Sequence, residues 1–213
     1  NDSWAAGAQL RIPSDLGVQI AGDMNMSTYT LTNQGKLIVD GKLTTKSGET
    51  LSGTIKADSL VVSGATTVDG TVNVVNDLDV SGTLTINAGD TLNVDGKITG
   101  SGSIVNNGTL NVKGDVASSV TVDKGGKATI SGDLNNAVTL TDGTVSVTGS
   151  VKGDVTQTKG SLSVGGDLTT DSATQAIKVD TDNALTVTGT LNNKGGTVTV
   201  NNGKTLSVGA LGT

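Results

Sequence analysis

Residues 127–134 read KATISGDL, residues 144–151 read TVSVTGSV and residues 161–168 read SLSVGGDL. The three are one phrase: a small β-forming residue, apolar, polar, apolar, polar, glycine, polar, apolar. Alternation with period two predicts a strand with one buried face. The glycine predicts a corner, because glycine adopts bend conformations without steric cost. Ile130, Val147 and Val164 lie 17 residues apart (147 − 130 and 164 − 147). A strand-sized phrase returning at that period is the signature of a solenoid coil.

The phrase recurs on both sides of this stretch. KLIVDGKL begins at Lys36, SLVVSGAT at Ser59, DLDVSGTL at Asp77, TLNVDGKI at Thr91 and TLNVKGDV at Thr109, while ALTVTGTL begins at Ala184 and TLSVGAL at Thr205. The fourth residues, from Val39 to Val208, span 169 residues (208 − 39) in nine steps, just under 19 per coil. The step from Val80 to Val94 is only 14 residues (94 − 80), too short for a full coil, so the register is least secure over 66–91. A second apolar pair recurs between phrases, as Val120/Val122, Val138/Leu140, Ile177/Val179 and Val198/Val200, followed by turn signals such as Asp123-Lys124-Gly125. The expected fold is all-β: a parallel β-solenoid of about 17–19 residues per coil, with two or three short strands in each. Parallel crossover connections are nearly always right-handed, so a right-handed β-helix is expected.

The composition suits a thin core. Among 213 residues there are 31 Gly and one Pro, with no Cys, His or Phe, and the aromatics Trp4 and Tyr29 both fall in the first thirty residues. Aromatic side chains normally supply the largest blocks of a core, so the remainder must bury Val, Leu, Ile, Ala and Thr. The periodicity of the apolar residues separates the chain from a disordered one. The net charge is −6 and the charges are scattered singly. That leaves no basic stripe for nucleic acid, and no apolar run approaches the roughly 20 residues of a membrane-spanning helix.

Two segments are expected, 1–35 and 36–213. The first concentrates bulky apolar side chains: Trp4, Leu10, Ile12, Leu16, Val18, Ile20 and Tyr29. A solenoid needs its first coil covered, so this segment is read as a cap, an assembly segment, or both. At the other end the final phrase brings Leu206, Val208 and Leu211 into a coil with no polar or helical cap after it. Such an edge is a template for another chain. These ten residues are the candidate self-assembly surface, and the expected partner is a second copy stacked head to tail, with other cell-surface components possible.

Chemistry is sparse. Without His or Cys, imidazole–nucleophile pairs and thiolate metal sites are absent. Asp115, Asp133 and Asp167 recur at one phrase position and could in principle gather around Ca²⁺, but the Gly-rich nonapeptide of Ca²⁺-binding rolls is missing, so turn-forming corners are the expectation. The pairs Gly125-Gly126, Gly165-Gly166 and Gly195-Gly196 lack the following helix and Lys-Ser/Thr of a phosphate loop. The pairs Asn106-Asn107, Asn135-Asn136, Asn192-Asn193 and Asn201-Asn202 read as turns that could stack their amides. Outward positions such as Thr91/Asn93, Thr109/Asn111, Thr144/Ser146 and Ser161/Ser163 would form a hydroxyl and amide ladder, an array of the kind ice-binding solenoids use. Lys127 and Ala184 interrupt it. No enzyme, cofactor or resident metal is expected.

Residues 106–112 (NNGTLNV) and 195–208 (GGTVTVNNGKTLSV) resemble the passengers of autotransporters and filamentous-haemagglutinin-type adhesins. The run 127–168, with Gly-Asp-Leu/Val at near-constant spacing, is similar to the bactofilins, β-helices that polymerise end to end. Both resemblances imply a β-helix; the first implies a secreted, right-handed one, the second a cytoskeletal, polymerising one, and neither has functional residues to transfer. The functional expectation is a structural subunit of an extracellular filament, matrix or surface layer. The alternatives are a stalk fragment of a surface adhesin and an ice-binding solenoid.

Overall fold

The computed structural model describes residues 7–27 and 29–212. The described residues form a right-handed parallel β-solenoid of about 11 turns, without a helix. Each coil has three faces. Face A carries the apolar pair of the quoted phrase, face B the last apolar residue of the phrase, and face C the second apolar pair.

Face A stacks in strict register. Val18 pairs with Leu37, Leu37 with Ile55, Ile55 with Val72, Val72 with Leu92 and Leu92 with Leu110. The column continues through Ala128, Val145, Leu162, Leu185 and Leu206. Period-two alternation turns each of these side chains inward, where like residues lie on like at the inter-strand spacing of about 4.8 Å. Most are fully buried, Leu37, Ile55, Leu92, Leu110 and Val145 at 0% exposure. Burying one such side chain contributes roughly 1.5–3 kcal/mol, so the ladder is the main source of stability and no aromatic residue is needed within it. Met24, Leu43, Leu60, Leu78 and Ile98 form the face B column through ladders, and Val116, Leu134 and Val151 extend it through single bridges.

The structure corrects the register expected from the phrase. Ser59 and Asp77 do not begin face A strands. Leu60 pairs with Leu78 and Val62 with Val80 on face B, while face A is supplied by residues 54–57 and 71–74. Along face A the steps are then 18, 17 and 20 residues (Val39 to Ala57, Val74 and Val94), and the anomalous 14-residue step disappears. The cause is physical. Every face must alternate apolar-in and polar-out, so Leu60-Val61-Val62 and Leu78-Asp79-Val80, each followed by a glycine two residues on, imitate the phrase.

Residues 9–25 also form a coil in their own right: Gln9–Ile12 on face C, Gly17–Ile20 on face A and Met24–Asn25 on face B. The last two pair in parallel with Lys36–Thr44. Gln9–Ile12 pairs with Thr30–Asn33 as a separate two-stranded sheet, so the face C ladder is broken between Thr30–Asn33 and Glu49–Val62. From Glu49 onward it runs unbroken through Thr66, Leu84, Ile104, Val120 and Val138 to Val198.

Candidate functional site

The expected assembly residues fall at the two ends of the rod. In the first coil Ile12 is fully buried, Leu10, Val18 and Ile20 are half-buried and Leu16 is 56% exposed. Tyr29 is buried, and Trp4 lies outside the described residues. In the last coil Leu206 and Val208 are half-buried and Leu211 is 73% exposed. Two further side chains belong with them: Val198, half-buried, and Val200, 39% exposed. Their place as the final apolar pair was the signal. Within one chain the two groups sit at opposite ends of the stack and do not meet.

The repeated aspartates have a specific job at the corner from face A to face B. Asp115 Oδ1 accepts the backbone N–H of Asp133 at 2.8 Å, Asp133 Oδ1 that of Ser150 at 2.7 Å, and Asp167 Oδ1 that of Thr190 at 2.7 Å. Ser150 Oγ does the same for the Asp167 N–H at 3.1 Å. Asp23 and Asp77 repeat the device earlier, accepting from Lys42 and Lys97. Each carboxylate thus satisfies an amide that the turning strand leaves unpaired. Among the described residues no group of three or more His, Cys, Asp or Glu is placed to hold a metal ion.

The glycine of the phrase sits at the expected bend, and it also makes room for this bond. None of Gly114, Gly132, Gly149 or Gly166 adopts a positive φ. A Cβ on Gly132 would collide with Asp115 Oδ1, one on Gly149 with Asp133 Oδ1, and one on Gly189 or Gly166 with the Asp167 or Ser150 side chain. Glycine leaves room for the preceding coil's acceptor. Left-handed glycines lie at the other two corners: where face C turns into face A, as at Gly53 (φ 67°), Gly89 (89°), Gly125 (79°) and Gly160 (89°), and where face B turns into face C, as at Gly48 (81°), Gly100 (86°) and Gly195 (96°).

The outward ladders also differ from expectation. On face A, amides bond directly: Asn93 Nδ2 donates to Asn73 Oδ1 at 2.9 Å and Asn111 Nδ2 to Asn93 Oδ1 at 2.8 Å. These are strand positions, whereas the asparagines of the turn pairs act singly; buried Asn106, for example, donates to Lys127 O at 2.9 Å. The more regular hydroxyl array is on face C. There Thr50, Thr67, Thr85, Val105, Thr121, Thr139 and Thr156 form one outward column across seven coils. The column escaped the sequence reading because it follows the second apolar pair, whose register was less visible than that of the phrase.

Two ionisable groups are perturbed inside the rod. Burial pushes the Glu49 carboxyl above its ordinary range, against the counter-pull of Lys46 Nζ at 3.5 Å. Burial, with the Glu49 charge adding to it, pushes Tyr29 up to about 12. At the far end Asp171 accepts from Lys152 at 2.6 Å and lies 3.5 Å from Lys194, and these contacts hold its carboxyl below the usual range. Among the described residues no helix is long and apolar enough to cross a membrane. No protein-family model, curated protein or solved structure matches the chain.

Proposed function

We propose that this chain is a structural rod of an extracellular bacterial assembly, extended by stacking the first coil of one copy on the last coil of another. The observation that supports the reading is the matching register of the first and last described coils, in the latter of which Val198, Val200, Leu206, Val208 and Leu211 stay partly exposed. Isolated exposed apolar residues are ordinary, but a contiguous set marks an interaction surface. The fit to a second copy is geometric. Val18/Ile20 of the first coil belong to the same face A column as Leu206/Val208, and Leu10/Ile12 lie on face C as Val198/Val200 do. Stacking them continues both ladders with the strands parallel. Such a contact is heterologous, so it propagates as an open filament.

Composition and the resemblance to adhesin passengers support a bacterial surface location, the resemblance to bactofilins supports end-to-end polymerisation, and the proposal assigns the chain no catalysis. Negative-stain microscopy over a range of protein concentrations tests it. Filaments are expected for the native chain, with loss for the double variant Val208→Lys/Leu211→Lys and for deletion of residues 1–30. A monodisperse native monomer at high concentration would overturn the filament and leave a spacer in an adhesin stalk.

The column on face C favours a second reading, ice binding, since it offers six threonine hydroxyls over seven coils, interrupted once by Val105. Thermal hysteresis decides it. A freezing-point gap that is lost in Thr121→Lys would support it, and no gap in the native chain would remove it.

A further inference from the structure

We propose that the break in the face C ladder is a binding site for a saccharide, read through its hydroxyl groups. Between Thr30–Asn33 and residues 49–52 the two strands do not pair, and a groove of about 470 Å³ opens there. That is within the range of small-ligand sites, roughly 300–1,000 Å³. Its lining is polar apart from Leu31, with Asn33, Lys46, Glu49 and Asp69 as its strongest hydrogen-bonding groups.

Two of these groups are buried and incompletely used. Glu49 is 5% exposed and Asn33 2%, yet Asn33 Oδ1 accepts no hydrogen bond and Glu49 Oε2 meets the Lys46 ammonium only at the long distance of 3.5 Å. Buried polar atoms are nearly always paired, and one left without a partner costs about 1–3 kcal/mol. The rest of each side chain is fixed in place. Asn33 Nδ2 donates to Ser52 O at 2.8 Å, which turns its oxygen away from that strand. The Glu49 backbone N–H donates to Lys46 O at 3.3 Å, and Lys46 Nζ donates to Tyr29 O at 2.7 Å. Both spare atoms are acceptors, so the site calls for donors.

Lys46 decides which donors. Its Nζ already lies 3.5 Å from Glu49 Oε2, and a metal ion would have to share that space with an ammonium group. A hydroxyl group has no such conflict, because it can donate to the carboxylate while accepting from the ammonium. Adjacent hydroxyls on a sugar ring supply two donors at once, one for Glu49 and one for Asn33. The site lies on the side of the rod, away from the last described coil, and stands independently of filament assembly.

The test is amide-resolved NMR of the full chain titrated separately with glucose, galactose, mannose, N-acetylglucosamine and calcium chloride. The expected result is saturable millimolar binding of at least one sugar, with shifts confined to residues 30–34 and 46–52. Glu49→Gln, which removes a buried charge and keeps side-chain volume, should weaken that binding by about tenfold or more, the worth of one hydrogen bond to a charged group. Lys46→Met, at a partly exposed position, should weaken it as well while circular dichroism stays native. No sugar response, a response elsewhere, or one indifferent to both variants overturns the proposal. So does a groove that answers to calcium and to no sugar.

Discussion

Asp133 and Gly149 form a unit shared between two coils. The carboxylate reaches Ser150 N because Gly149 has no Cβ in its path. Gly149→Ala is expected to destabilise the rod by about 1–3 kcal/mol through overpacking, and Asp133→Ala by a similar ~1–3 kcal/mol through the orphaned amide. The double variant should cost less than the sum, since removing the carboxylate relieves part of the collision. Urea unfolding of the three variants checks this, and strict additivity would contradict the coupling. Glu49 gives a second test. Its folded pKa is raised, so the folded chain takes up the proton at a higher pH than the unfolded chain does. Stability is therefore gained as pH falls through the folded value toward the unfolded one of about 4.3 and lost on the way back up. Asp123, Asp171 and Asp182 act oppositely: their lowered values mean stability lost only below about 3.9. The melting temperature should rise on mild acidification from neutral pH, and Glu49→Gln should flatten that rise.

At the scale of a strand, the unit is one apolar residue in a column of its equivalents. Leu110 is fully buried between Leu92 and Ala128. Leu110→Ala would place two alanines in succession in that column. It should cost about 2–5 kcal/mol, in the upper half of the range, because the backbone ladder holds the coils apart and prevents collapse into the cavity. Chemical denaturation against the milder Val145→Ala provides the comparison. The amide ladder on Asn73, Asn93 and Asn111 was half legible: Asn93 and Asn111 stood out as outward neighbours, but Asn73 did not, because residues 71–74 had been hidden by the imitation phrase at Asp77.

Over the whole molecule, each coil touches only its neighbours, so stability is a local sum along the axis. The coils carrying residues 109–168 are buried on both sides, while the coil of residues 197–211 is the last of the described residues and the more exposed. Hydrogen exchange should therefore be slowest in the middle of the rod and fastest in Thr197–Val200 and Leu206–Leu211. Assembly into filaments should slow exchange in those two strands selectively. Unchanged exchange there in an assembled sample would place the contact elsewhere.

The sequence by itself determined the solenoid, the period and the inward residues of the regular coils, because apolar alternation and period are local properties that survive in one dimension. It also marked Asp115, Asp133 and Asp167 as one column. Tertiary structure alone decided which face each phrase occupies, since all three faces obey the same alternation and differ only in what they stack on. It decided the purpose of the phrase glycine, because the atom it makes room for belongs to the preceding coil, about 17 residues away. It also decided that the ladder parts beside Glu49, where two strands that alternate like any others fail to pair and leave a buried carboxylate and a buried amide facing a groove.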